Sequence, residues 1–191
     1  MRPLTFNKQQ ALAGVTQLFW KQGYEGTSVQ QILSCMGLNR SSLYSTFGDK
    51  RALFVQALAQ FSTLSRMACM SITQTSEPKE AVRQFFNLAF FSLPLEQRRY
   101  GCLLVNTILE QSGLDDELAT IAAATLIDIE ASFQQCFELA KTDGRLSEQS
   151  DPKVLASFFM TLNKGMRVAA REGRDEVLLR EMVEASLIIL D

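Results

Sequence analysis

A chain of 191 residues, 47% hydrophobic and 21% charged with a formal net charge of −2, has the make-up of an ordinary globular protein of one or two small domains. It has no histidine, which excludes imidazole acid–base catalysis and metal sites of the common His-containing type, so neither a metal nor a cofactor is expected. No apolar run reaches the roughly 18 residues of a membrane span, and the segment around Lys8 carries Gln and Thr where a signal peptide needs an apolar block, so the expected location is the cytoplasm.

Between sparse Gly and Pro residues the apolar positions recur at three and four rather than at two, so an all-α fold of about nine helices is predicted. The first helix runs over 7–22 on Leu12, Val15, Leu18 and Phe19 and is closed by Gly23. Thr27 or Ser28 caps a short second helix to about Cys35, Gly37 breaks it, and Asn39 caps a third through Phe47. Asp49 opens a long fourth helix toward Thr75. A fifth follows Pro78 until Pro94 interrupts it, and a sixth runs from beyond Gly101 to Gly113. The seventh spans 115–142 on one long apolar stripe. Asp151 with Pro152 starts an eighth to about Arg171, and the last spans 175–190. The four leading elements form a unit of about 60 residues that shares its long fourth helix with a larger body; at 1.5 Å per residue such a helix spans close to 40 Å.

Charge is uneven along this layout. Residues 1–60 carry Arg2, Lys8, Lys21, Arg40, Lys50 and Arg51 against Glu25 and Asp49, a net +4, which leaves −6 for the remainder. One end is fitted to meet an anion. The stretch Thr27 to Phe47, TSVQQILSCMGLNRSSLYSTF, shows how: two short helices joined at a tight turn with Gly37 at the bend have helix-turn-helix spacing. Leu38 and Leu43 fill the angle between them, leaving Arg40, Ser41, Ser42, Ser45 and Thr46 on the outer face. Small hydroxyls and one Arg at the start of a helix suit entry into a major groove, where donors and acceptors reach base edges. Tyr44 and Lys50 at the flanks, with the helix start at Thr27 and Ser28, suit phosphates.

From Ala11 through Phe54 the chain resembles the DNA-binding domain of the tetracycline-repressor (TetR) family, in LFWKQGYEGTSVQQIL and MGLNRSSLYSTFGDKRALF. The matching features are the aromatic and Gly-Tyr after the first helix, the Thr-Ser entry to the second, Gly37, Leu43-Tyr44, Phe47, and the Lys50 to Phe54 run. The resemblance implies an effector-released repressor with a DNA-binding domain at 1–52 and an effector-binding and dimerisation domain at 53–191. It makes Arg40, Ser41, Ser42 and Ser45 the base-facing set and places Thr27, Ser28, Tyr44 and Lys50 on the backbone of a double-stranded operator. The segment before the first helix offers only Arg2 and Lys8, too little for a minor-groove arm.

The same resemblance implies a homodimer through the last two helices, where Phe158, Leu162, Met166, Leu178, Met182 and Ala185 are the interface candidates. Phe85, Phe86, Phe90, Phe133 and Phe137 are candidates for an effector pocket. The four cysteines are too sparse for a disulfide framework and are expected as free thiols, with Cys35, Cys69 and Cys136 in the core. Cys102 is set apart: Arg98, Arg99 and a helix start lie beside it, which favours a thiolate, and YGCLLVNTILE is similar to a Gly-Cys-Leu branch of the family with members that respond to reactive species or other small molecules. A nonspecific architectural DNA binder is the alternative. A helical carrier or enzyme is a weaker one, because no catalytic set stands at recognisable spacing.

Overall fold

The computed structural model describes residues 7–73, 75 and 77–191; Arg2, counted above among the cations, lies outside them. Helix α1 (Lys8–Gln22) starts at Asn7, whose side chain accepts the Gln10 N–H, and stops at Gly23, where φ is +80°. Helix α2 (Val29–Met36) begins with a capping box, in which Ser28 accepts the Gln31 N–H and the Gln31 side chain accepts the Ser28 N–H. Helix α3 (Arg40–Phe47) is capped by Asn39, and α4 (Lys50–Thr73) by Asp49, which accepts the Ala52 N–H. Local polar side chains therefore set each of these starts.

Beyond them lie α5 (Pro78–Phe86), α6 (Leu95–Arg98), α7 (Leu103–Gln111), α8 (Asp116–Thr142), α9 (Pro152–Arg171) and α10 (Glu176–Ser186). The nine expected helices are all present and, among the described residues, there is no strand. Three details depart from the expected pattern. The end of the fifth helix relaxes into a π-helical segment at Asn87–Phe91, and the one-turn helix α6 fills the stretch after Pro94. The last helix also tightens into a 3-10 turn at Leu187–Leu190.

The chain divides into two compact units, the first made of the described residues up to Thr63 with Leu103–Ala122, the second of Leu64–Cys102 with Ala123–Asp191. In the first, Phe19, Phe54 and Tyr24 pack ring on ring, with centroids 4.8 Å apart for Phe19–Phe54 and 4.9 Å for Tyr24–Phe54, and Trp20 packs edge-on to Phe61 at 5.1 Å. In the second, Phe133 is the hub, contacting Phe85 at 4.9 Å, Phe137 at 5.8 Å and Phe159 at 6.1 Å. Each fully buried Phe removes enough apolar surface from water to contribute roughly 1.5–3 kcal/mol.

Candidate nucleic-acid interface

The turn between α2 and α3 depends on Gly37, which takes the left-handed conformation (φ +64°, ψ +31°) while Leu38 N–H donates to Leu33 O at 3.1 Å. Asn39 then accepts the Ser42 N–H at 2.8 Å and fixes where α3 begins. Ile32, Met36, Leu43 and Phe47 are buried beneath the pair. That leaves Arg40, Ser41, Tyr44 and Ser45 exposed on α3, with Ser42 half-buried. Among the described residues Arg40 forms no ion pair, and Ser45 Oγ donates to Ser42 O at 3.1 Å. The outer face of α3 is therefore polar, slender and led by one uncommitted guanidinium.

The flanks differ in part from expectation. Ser28 is exposed, but its N–H and hydroxyl both donate to Gln31 Oε1, at 2.8 and 2.9 Å. Thr27 is corrected outright: it is fully buried, its hydroxyl donates to Gly23 O at 2.6 Å and its N–H to Tyr24 O, so it shapes the approach to α2 instead of facing an anion. Lys50 is half-buried with its ammonium 4.3 Å above the Tyr24 ring. Lys8, across the end of α3, donates to Thr46 O at 3.4 Å and lies 5.0 Å from the Phe47 ring centre.

Two features of the first unit were invisible in the sequence. Arg51 is not a free cation: it is bidentate to Asp115, at 2.6 and 3.1 Å, and reaches Glu117 at 2.6 Å. Those bonds raise the guanidinium pKa, and in return the Arg51 guanidinium holds the Asp115 carboxyl below its usual range. Glu110, in the last turn of α7, accepts the backbone N–H groups of Tyr24 and Glu25, each at 2.9 Å. All these partners lie more than 60 positions apart, so no local pattern announces them.

In the second unit the five phenylalanines proposed as a pocket lining are all buried; Phe85, Phe90, Phe133 and Phe137 are packed core, and of the five Phe86 lines the open groove along α5 and α10. Phe85, Phe86, Phe133 and Phe137 pack ring on ring, and Phe90 packs on Phe91, so these rings are used up in filling the core. An open groove of about 420 Å³ lies instead along α5 and α10, lined by Phe86, Asn87, Phe91, Val183 and the Arg83–Glu184 and Arg180 side chains. Of the interface candidates, Phe158, Leu178, Met182 and Ala185 are exposed and Leu162 is half-buried. Met166 is a correction, fully buried on the inner face of α9.

Cys102 is buried just ahead of α7, and its cationic neighbour is not the expected one. Arg98 pairs with Glu176 at 2.6 Å, and Arg99 is exposed. The guanidinium that interacts electrostatically with Cys102 is Arg167, which burial pushes down in pKa against that opposing influence. Arg167 is held by Ala89 O at 2.6 Å and Gly101 O at 3.4 Å, and lies 5.3 Å from the Phe90 ring. A cation inside the apolar stripe of the eighth predicted helix was the available signal. Cys69 and Cys136 are buried as expected, and burial raises both thiols' pKa values. Cys35 is a correction: it is exposed on α2, although partial desolvation of the thiol still raises its pKa.

Among the described residues no group of three or more Cys, Asp or Glu is placed to hold a metal ion, and no helix is long and apolar enough to cross a membrane. A family model described as "Bacterial regulatory proteins, tetR family" matches residues 11–57, and one described as "Tetracyclin repressor-like, C-terminal domain" matches residues 78–186. An uncharacterized HTH-type transcriptional regulator of Bacillus subtilis (strain 168), YezE, is 31% identical over 188 residues, covering 97% of this chain and 97% of its own. The HTH-type transcriptional repressor ComR of Escherichia coli (strain K12) is 25% identical over 190 residues, covering 97% and 90%. Among solved structures, a cysteine mutant of the TetR family transcriptional regulator CifR, complexed with 26bp double-strand operator DNA, matches with a TM-score of 0.82 at 26% identity over 100% of both chains. With one family model over residues 11–57, another over 78–186 and a relative 31% identical across 97% of both chains, the chain belongs to the tetR family of bacterial regulatory proteins and is a transcriptional regulator rather than an enzyme.

Proposed function

We propose that the chain is a sequence-specific repressor that acts in the cytoplasm as a homodimer and leaves its operator on meeting a small-molecule or reactive effector. The observation that carries this reading is the outer face of α3, where Arg40, Ser41 and Ser45 stand exposed on a capped, well-buttressed helix with no bulky side chain at its start. Residues 1–52 then serve as the DNA-binding domain and 53–191 as the effector-binding and dimerisation domain. Arg40, Ser41, Ser42 and Ser45 face bases, while Ser28, Tyr44 and Lys50 face phosphates.

The exposed apolar stripe on α9 and α10, with Phe158 and Leu162 on one helix and Leu178, Met182 and Ala185 on the other, supports pairing of two chains there. Paired reading heads fit half-sites about 34–36 Å apart or a multiple of that spacing. For the effector, the Cys102 thiol, next in sequence to Gly101 whose carbonyl accepts from the Arg167 guanidinium at 3.4 Å, supports a reactive species, and the groove along α5 and α10 supports a reversible ligand. Cys102→Ser separates the two, since it blocks release by an electrophile and leaves release by a reversible ligand intact.

The reading is tested by selecting duplexes from a random-sequence pool and competing the selected duplex against random duplex at physiological salt. A specific repressor prefers the selected duplex by about 10³-fold or more. Equal affinity for both would make the protein a nonspecific architectural binder instead.

A further inference from the structure

The turn that aims the reading helices is held by an anion from outside them. Tyr24 N–H donates to Glu110 Oε2 and Glu25 N–H to Glu110 Oε1, each at 2.9 Å, so one carboxylate binds two successive backbone amides of the loop linking α1 to α2. Gly23 makes room for it. A Cβ built on Gly23 would stand 2.9 Å from Oε1 and 3.3 Å from the carboxyl carbon, and the residue's φ of +80° is itself one that glycine takes without strain.

What the clamp holds is the entry to α2. Thr27, three residues past the clamped Tyr24, bonds back to Gly23 O and Tyr24 O, and Ser28 then caps α2. The Tyr24 ring packs on Phe54 and has the Lys50 ammonium 4.3 Å above it, so the first residue of α4 is tied to the same loop. A second strap reinforces it: Asp115, just ahead of α8, and Glu117, in the first turn of α8, grip Arg51 in the first turn of α4.

We propose that Glu110 is a positioning residue for DNA binding, one that touches no DNA but fixes the α1–α2 loop, and with it α2 and α3, in the geometry that docks. This rests on the reading of α3 as the DNA-contacting helix. Helix α7, which carries Glu110 in its last turn, is part of the same compact unit as the α1–α2 loop.

The test uses the full-length protein and the duplex it selects from a random pool. Glu110→Gln keeps the shape of the side chain but sets an amide –NH₂ against a backbone N–H. Binding should weaken by roughly ten-fold, the loss expected for one hydrogen bond to a charged group. The salt slope should stay as in wild type, because no phosphate contact is lost. Amide exchange should accelerate at Tyr24 and Glu25 while the amides of α3 and α4 keep their protection, a signature that general destabilisation would not give. Wild-type affinity in Glu110→Gln, or unchanged exchange at both amides, overturns the proposal. If wild type selects no sequence, the repressor reading fails separately, and the clamp is judged on affinity for random duplex, where the same ten-fold loss is expected.

Discussion

The two units of the molecule put their working surfaces together in opposite ways. In the first, α1, α2 and α3 are started by Asn7, Ser28 and Asn39 and stopped by Gly23, Gly37 and Gly48, and the face left outward on α3 is polar. In the second, long helices close over a core of stacked phenylalanines, and the faces left outward on α9 and α10 are apolar. A polar outward face is complete as it stands and invites an anionic polymer; an apolar one is unfinished until something covers it. Local chemistry therefore explains the first unit, and packing explains the second.

The sharpest way to break this contrast is to charge the apolar face. Phe158→Asp with Met182→Asp should give monomer by light scattering and reduce operator affinity by about 10²-fold or more, because one reading head loses the help of its mate. Full dimer mass with unchanged affinity would remove this face from the account. A neighbouring ring makes the control: Phe133→Ala, in the packed hub, should cost about 3–5 kcal/mol of stability in urea unfolding, without bearing on which surface pairs.

The smallest effect concerns acid. Arg51 holds the Asp115 carboxyl below its usual range, and Arg98 and Arg83 do the same for Glu176 and Glu184. A carboxyl with a lowered folded pKa adds stability above its unfolded value of about 4 and loses it as pH falls toward the folded value. Asp115→Asn should therefore narrow the gap between urea midpoints measured at neutral pH and below about pH 4; an unchanged gap would show that the Arg51 strap adds nothing.

How much of this was legible follows the same division. The helices were readable because Gly and Pro punctuate them, and α3 was readable because its cap, its buried Leu43 and Phe47 and its outward Arg40 lie within nine residues. Helix α6 was missed because four residues carry no periodicity, and the π-helical segment because a one-residue widening of the ladder leaves the apolar pattern intact. Glu110, Arg51 and Arg167 were missed for a different reason: their partners are brought to them only by the tertiary fold. The phenylalanines were visible, but periodicity alone does not distinguish a ring that lines a cavity from one that fills it.

The central claim is that α3 reads bases through Arg40 while the cations around it only hold the backbone. Affinities of wild type, Arg40→Ala and Lys50→Ala should be measured over a panel of single-base variants of the selected duplex at several salt concentrations. Arg40→Ala should lose about 1–3 kcal/mol and relax discrimination at one base step, whereas Lys50→Ala should weaken every duplex alike and flatten the salt slope by about one unit. Identical discrimination profiles for Arg40→Ala and wild type would contradict the assignment of α3 as the reading helix.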